Sequence, residues 1–307
     1  MTQTYFLEKP LNFSFKHTVF SHGWYDLPPF ELDKESWRLS YVFSDEKNTE
    51  RATATVWEAE DELKIEISVK KVNEQFKKKI LRDARHILRL DEDLSEFYKL
   101  AKLEKEFLWI AENNAGRLLR SSTVFEDLVK TLCTTNCSWA ATKKMTANLV
   151  EKLGTEIIGG RRAFPTAEKM ASVTAEFYRD EIRAGYRAPY FAELAEKVAS
   201  GEINPESWLE TELSTKELKK EIKQIKGVGD YAAENLLKLV GRYDGLALDS
   251  WLRAQFYKKH AGDKVCADTE IESFYEHFGE WRGLAMWCDI TEKWFAETEN
   301  FAPSKSL

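Results

Sequence analysis

The stretch Ile222 to Leu237, IKQIKGVGDYAAENLL, constrains this chain more than any other. Its apolar residues, Ile222, Ile225, Val228, Ala233, Leu236 and Leu237, run through and around two glycines. It reads as two short helices joined by a tight hairpin. Gly227 and Gly229 flank Val228, and glycine is the default where a chain takes a positive φ or brings its backbone close to a ligand. Asp230 is placed to cap the second helix, and Ser214 with Glu217 forms a capping box for the first. Such a hairpin aims backbone N–H groups and the positive end of a helix dipole outward. That is an anion site, and a phosphate is the natural anion.

The chain before the hairpin changes period once. WRLSYVF (37–43), ATATVW (52–57) and LKIEISV (63–69) alternate with period two, with Trp37, Leu39, Tyr41 and Phe43 on one face and Leu63, Ile65, Ile67 and Val69 on another. These are half-buried antiparallel strands, with the turn between the last two at Glu60-Asp61-Glu62. From about residue 73 onward the period is helical. The long helix starting near Val124 meets the polar run Thr134 to Ser138, where small polar residues predict a break and a new helix start at Asn136 or Ser138. Further helices are expected after Phe164-Pro165-Thr166 and across 185–201, the latter ended by Gly201. The expected fold class is α+β. An antiparallel sheet domain (1–78) precedes an all-helical region (79–307) with the hairpin at 214–240. The tail APSKSL is expected to be disordered.

The net charge of −7 does not advertise a nucleic-acid binder, but charge is local. From Lys216 to Lys226 five lysines face two glutamates. Arg161-Arg162 and Lys143-Lys144 are further basic steps, each readable as a solvated face unless the fold brings it to the hairpin. No run reaches the roughly 18 apolar residues of a membrane span. The beginning, MTQTYFLEKP, lacks a signal-peptide layout, so a cytoplasmic location is expected. Cys133, Cys137, Cys266 and Cys288 form neither the paired spacing of a zinc site nor the compact run of an iron–sulfur cluster, so no such cluster is expected.

The hairpin frame is that of the helix-hairpin-helix element. With Asp249 in LALDSWLR it closely resembles the HhH-GPD superfamily of base-excision DNA glycosylases. RDARHILRLDEDLSEFYKL, FEDLVKTLCTTN, FPT and AGYRAPYF occur in the order found in the 8-oxoguanine branch. The resemblance spans roughly residues 80 to 300. It implies two helical subdomains, binding of double-stranded DNA carrying a damaged base, a monomer, and no required cofactor. It also implies a Na+ or K+ ion held by the backbone of Gly227 and Gly229. Lys226, Gly227, Val228, Gly229 and Asp230 would grip the DNA phosphate.

Cleaving an N-glycosidic bond leaves an oxocarbenium-like sugar, which a carboxylate can stabilise while orienting water. Asp249 sits at a helix N-terminus and is the candidate; a plain N-cap is compatible with that role. Bifunctional members of the superfamily use a lysine on the second hairpin helix. Tyr231 stands at the matching position, and a phenol cannot form an iminium. The expectation is therefore a monofunctional glycosylase, similar in this to the 3-methyladenine enzymes. The extruded base needs stacking faces, for which Tyr231, Trp24, Trp251 and Trp287 are candidates, with Trp251 the best placed. Asn136 matches a gap-filling position; a helix cap is the other reading. Asp289 matches a base-reading position and, accepting hydrogen bonds only, would favour a cationic alkylated purine. Two alternatives stay open: a bifunctional 8-oxoguanine-type glycosylase/lyase, and an inactive helix-hairpin-helix DNA-binding protein.

Overall fold

A computed structural model describes residues 2–45, 49–68, 72–157 and 159–299, with side chains to Phe295. Val69 and the APSKSL tail lie outside the described residues. Five strands, β1 (Thr2–Leu7), β2 (Glu31–Asp33), β3 (Arg38–Ser44), β4 (Arg51–Ala59) and β5 (Glu62–Ser68), form one antiparallel sheet in the order β1-β5-β4-β3-β2. Alternation carries the inner face: Leu63, Ile65 and Ile67 are each at most 1% exposed. The β4–β5 turn is tighter than expected. Only Glu60 and Asp61 separate the strands, with Glu60 at φ 57°, and Glu62 already pairs with Ala59. Trp37 precedes β3 at φ 52° rather than belonging to it.

The aromatic segment before β2 contains regular structure. A helix at Phe15–Val19 and a 3-10 turn at Gly23–Asp26 place His22, Trp24 and Tyr25 against the helical part. The strand-to-helix change comes at Asn73, which caps the helix Glu74–Leu88, so the boundary expected at residue 78 falls inside that helix. Nor do sheet and helices have separate cores: one continuous apolar cluster runs from Leu7 to Phe295. A buried polar chain crosses the same seam. The Tyr41 hydroxyl of β3 donates to Glu126, and Glu126 pairs with Lys130 at 2.6 Å, both side chains being at most 1% exposed.

The break in the long helix is where expected. One helix, Val124–Thr134, ends; Asn136 takes φ 46°, a left-handed conformation that asparagine tolerates; and Ser138 caps Trp139–Leu153. The other expected helices form at Ala167–Ala171, capped by Thr166, and at Ala188–Ala199, followed by Gly201 at φ 78°. The hairpin helices are Thr215–Ile222, with its capping box intact, and Asp230–Leu239. Asp249 then starts Ser250–His260, and the described chain ends on Arg282–Glu299. No helix of the described residues is long and apolar enough to cross a membrane.

Candidate active site

The second hairpin helix is capped at Gly229, not at Asp230 as the sequence suggested. Gly229 is the N-cap, at φ −88°, and no side chain caps the helix. The Asp230 carboxylate is engaged instead by Lys223 at 2.9 Å and Lys219 at 3.0 Å. Without a side-chain cap, the N–H groups of the first turn are available to an external acceptor. Of the two glycines only Gly227 has a positive φ, 87°, and a Cβ there would lie 2.6 Å from the Tyr190 ring. A Cβ on Gly229 would meet nothing within 4 Å, so that glycine leaves open space beside the helix end. Val228 is buried, and its N–H is spent on Ile225. Lys226 pairs with Glu193 at 2.6 Å while remaining 64% exposed. The basic run leading into the hairpin is therefore largely matched by acidic partners within the protein.

That uncapped helix end opens onto a cleft of about 1210 Å3. Asp249 lies on its wall. It is the N-cap of Ser250–His260, accepting from the Leu252 N–H at 2.7 Å, so one contact with its own helix fixes the carboxylate in place. The segment before it is held in an uncommon conformation. Ala247 is buried at φ 56°, and its N–H donates to Glu234 at 2.5 Å. Glu234 in turn pairs with Lys219 at 2.5 Å. The hairpin helix thus positions the loop that delivers Asp249.

Tyr231 lies on the same wall. Burial first, then the Asp249 charge, push its phenol up to about 12, against a hydrogen bond with Thr134. It stays protonated and can donate, but it offers no amine. Trp24, Trp251 and Trp287 line the cleft too, as expected. The Trp24 indole donates to buried Asp127 at 2.7 Å, and that of Trp287 to the Ser21 carbonyl at 2.7 Å. Trp294, unforeseen, packs against both Trp251 and Trp287, with ring centroids 5.5 and 5.8 Å away. Trp139, equally unforeseen, covers Gly23, where a Cβ would lie 2.3 Å from its ring. Trp139, Trp251 and Trp294 are each more than a third exposed, so the apolar wall reaches solvent at the mouth.

Asn136 is exposed and lines the cleft, and its amide reaches the Tyr186 hydroxyl at 3.4 Å. Tyr186 is 53% exposed. An asparagine on a left-handed corner beside a solvent-exposed tyrosine makes a projecting pair. The Tyr186 partner was invisible in sequence, because nothing local to AGYRAPYF says which of its aromatics faces out.

Asp289 is not in the cleft. It is fully buried behind it, accepting from Lys259 at 2.7 Å and from Tyr275 at 2.5 Å, with His260 at 2.6 Å. Burial pushes its carboxyl up, but the bonds from His260, Lys259 and Tyr275 outweigh it and hold the group below its ordinary value. The helix Arg282–Glu299 turns Trp287, two residues earlier, to the cleft, and Asp289 to the opposite side. A charged residue that is about two turns from Tyr231, and so was not expected to act as its substitute, lines the cleft instead: Lys238, 2% exposed.

No family model matches the sequence, and no curated protein does. Solved structures do match. A 3-methyladenine DNA glycosylase from Archaeoglobus fulgidus superposes with a TM-score of 0.75 at 17% identity, over 95% of this chain and 99% of that one. An 8-oxoguanine glycosylase/lyase from Clostridium acetobutylicum, without DNA, gives 0.72 at 21% identity, over 94% and 95%. A 3-methyladenine DNA glycosylase from fission yeast, solved with abasic DNA, gives 0.51 at 20% over 67% of this chain and 98% of its own. The chain therefore has the fold shared by DNA glycosylases of the 3-methyladenine and 8-oxoguanine types.

Proposed function

We propose that this protein is a monofunctional DNA glycosylase that extrudes a damaged base from duplex DNA and hydrolyses its N-glycosidic bond. The observation that carries this reading is the meeting, on one aromatic-walled cleft, of an uncapped hairpin helix and the Asp249 carboxylate. The helix end with Gly229 binds a DNA phosphate, which places the adjoining sugar beside Asp249. Asp249 stabilises the cationic sugar and orients the attacking water. The base enters the cleft between indole faces, and Asn136 with Tyr186 fills the vacated stack. Tyr231 takes the position at which the family resemblance puts the nucleophilic lysine of the bifunctional enzymes, so no Schiff base forms there. A Na+ or K+ ion would be held through the Gly227 carbonyl, which accepts no backbone hydrogen bond among the described residues; that of Gly229 already accepts from Ala233. A bound ion would supply positive charge beside the phosphate site.

The preference for a cationic alkylated purine rested on Asp289, whose place behind the cleft removes that support. The test is excision from duplex oligonucleotides carrying single alkylated, oxidised or deaminated bases, read with and without alkali. Strand breaks that need alkali and vanish in Asp249→Asn are expected. Breaks without alkali, trapped by borohydride, would overturn the monofunctional mechanism. Duplex binding without excision on any substrate would leave a DNA-binding protein.

A further inference from the structure

The hairpin helix Asp230–Leu239 runs from the mouth of the cleft inward. Its first turn faces the proposed phosphate site, while its last carbonyls are clamped in the core. Arg89 donates to the Lys238 and Leu239 carbonyls at 3.1 and 3.2 Å, and Arg120 also donates to Leu239. Tyr231, Asn235 and Lys238 form one stripe along this helix, at i, i+4 and i+7, and all three line the cleft. Seven residues of helix rise about 10 Å. On the glycosylase reading Tyr231 then stands near the sugar, and Lys238, about two turns further along the helix, near the base.

Lys238 is an unusual residue to find there. Its ammonium makes one hydrogen bond, to the Leu246 carbonyl at 3.2 Å, and has no carboxylate within ion-pair distance among the described residues. Two of its three donors are unspent, in a side chain that is fully buried. Burial pulls the group down to about 8, with the charges of Glu234 and Asp249 pulling it back, so it remains a cation at neutral pH. A second unspent polar group lines the same cleft: the hydroxyl of Thr131, 2% exposed, has no hydrogen-bond partner among the described residues. Buried polar groups without partners are costly, and they are kept where a ligand completes them.

We propose that Lys238 and Thr131 form the base-reading floor of the cleft, and that it selects a neutral damaged base presenting carbonyl or ring-nitrogen acceptors while rejecting cationic N-alkylated purines. This rests on the glycosylase reading above. An acceptor edge satisfies the ammonium and the hydroxyl. A base that carries its own positive charge meets a like charge in the buried Lys238 ammonium, which disfavours it.

The test compares duplexes bearing 8-oxoguanine, hypoxanthine, uracil or 7-methylguanine, both for single-turnover excision and for binding to Asp249→Asn, which reads recognition without catalysis. At least one of the three neutral, carbonyl-bearing bases should be preferred to cationic 7-methylguanine. Lys238→Met should lower excision and binding of that preferred base roughly 10- to 100-fold, the range for a hydrogen bond from a charged donor. It should leave binding of undamaged duplex unchanged, and Thr131→Val should act in the same direction. Preference for 7-methylguanine, or an equal loss on every base in Lys238→Met, overturns the proposal. Base-selective binding with no excision supports the floor and sinks only the glycosylase reading.

Discussion

A lysine kept for recognition should cost the fold stability, and Lys238 allows that cost to be worked out. Its amine falls from 10.5 to about 8 on burial, which corresponds to about 3 kcal/mol of stability lost whenever the group is charged. Lys238→Met removes the buried charge and also the hydrogen bond to the Leu246 carbonyl, itself worth about 1 kcal/mol. The variant should therefore be more stable than the parent at pH 7 by about 2 kcal/mol, the difference of those two values. In urea this is a rise in midpoint of roughly 0.5 to 1 M. The pH dependence has a definite sign. The folded value lies below the unfolded one, so the cost is full below about pH 8, shrinks as the folded amine deprotonates, and is gone above pH 10.5. The gap between variant and parent should therefore narrow between pH 7 and pH 9.5. A variant less stable than the parent at pH 7 would mean that Glu234, Asp249 and Leu246 already repay the burial, and the argument for unspent donors would collapse. A gap independent of pH would refute the ionisation argument specifically.

Other outcomes follow from the same site. Tyr231→Lys puts an amine on the cleft wall within the field of Asp249, and should create a borohydride-trappable complex on abasic DNA that the parent does not form. Asp289→Asn should destabilise the protein by roughly 3 kcal/mol or more in denaturant titration, since it strips a buried carboxylate from Lys259, while leaving the order of base preference unchanged. His22 and His86 are held neutral, at about 4 and about 3 from an ordinary 6.5, chiefly by burial. The unfolded chain thus binds more protons below pH 6.5. Thermal stability should fall as pH drops from 6.5 toward 4, with a shallower slope in His86→Leu.

Much of this was legible because it is local. The hairpin declares itself through the spacing of Ile222, Ile225, Val228, Ala233 and Leu236 and through Gly227, whose positive φ any backbone of that shape requires. The break at Asn136, the caps at Ser138, Thr166 and Ser214, and the alternation of β5 are likewise properties of a few consecutive residues. Asp249 was legible for the same reason: a carboxylate directly before a helical run is a favoured N-cap. The cap at Asp230 was misread because Gly229 and Asp230 are both acceptable N-caps locally; Lys219 and Lys223, from the facing helix, draw the carboxylate away.

What the linear order could not reveal is which residues share a space. Trp294 and Trp139 join the cleft wall only because the last helix and the helix after Asn136 pack around the aromatic segment at 20–25. Asp289 and Trp287 are two residues apart on one helix, so they face different sides; the choice of side belongs to His260, Lys259 and Tyr275, which satisfy one carboxylate in the interior. Lys238 reads in sequence as an ordinary charge late in a helix. Core packing of Ala233, Leu236 and Leu237, with Arg89 and Arg120 holding the end of the helix, turns it inward. Sequence by itself determined the hairpin, the strands and the carboxylate, because short-range sterics and hydrogen bonding determine them. The tertiary structure decided the charge at the floor of the cleft, because burial and partnership are set by what packs from afar.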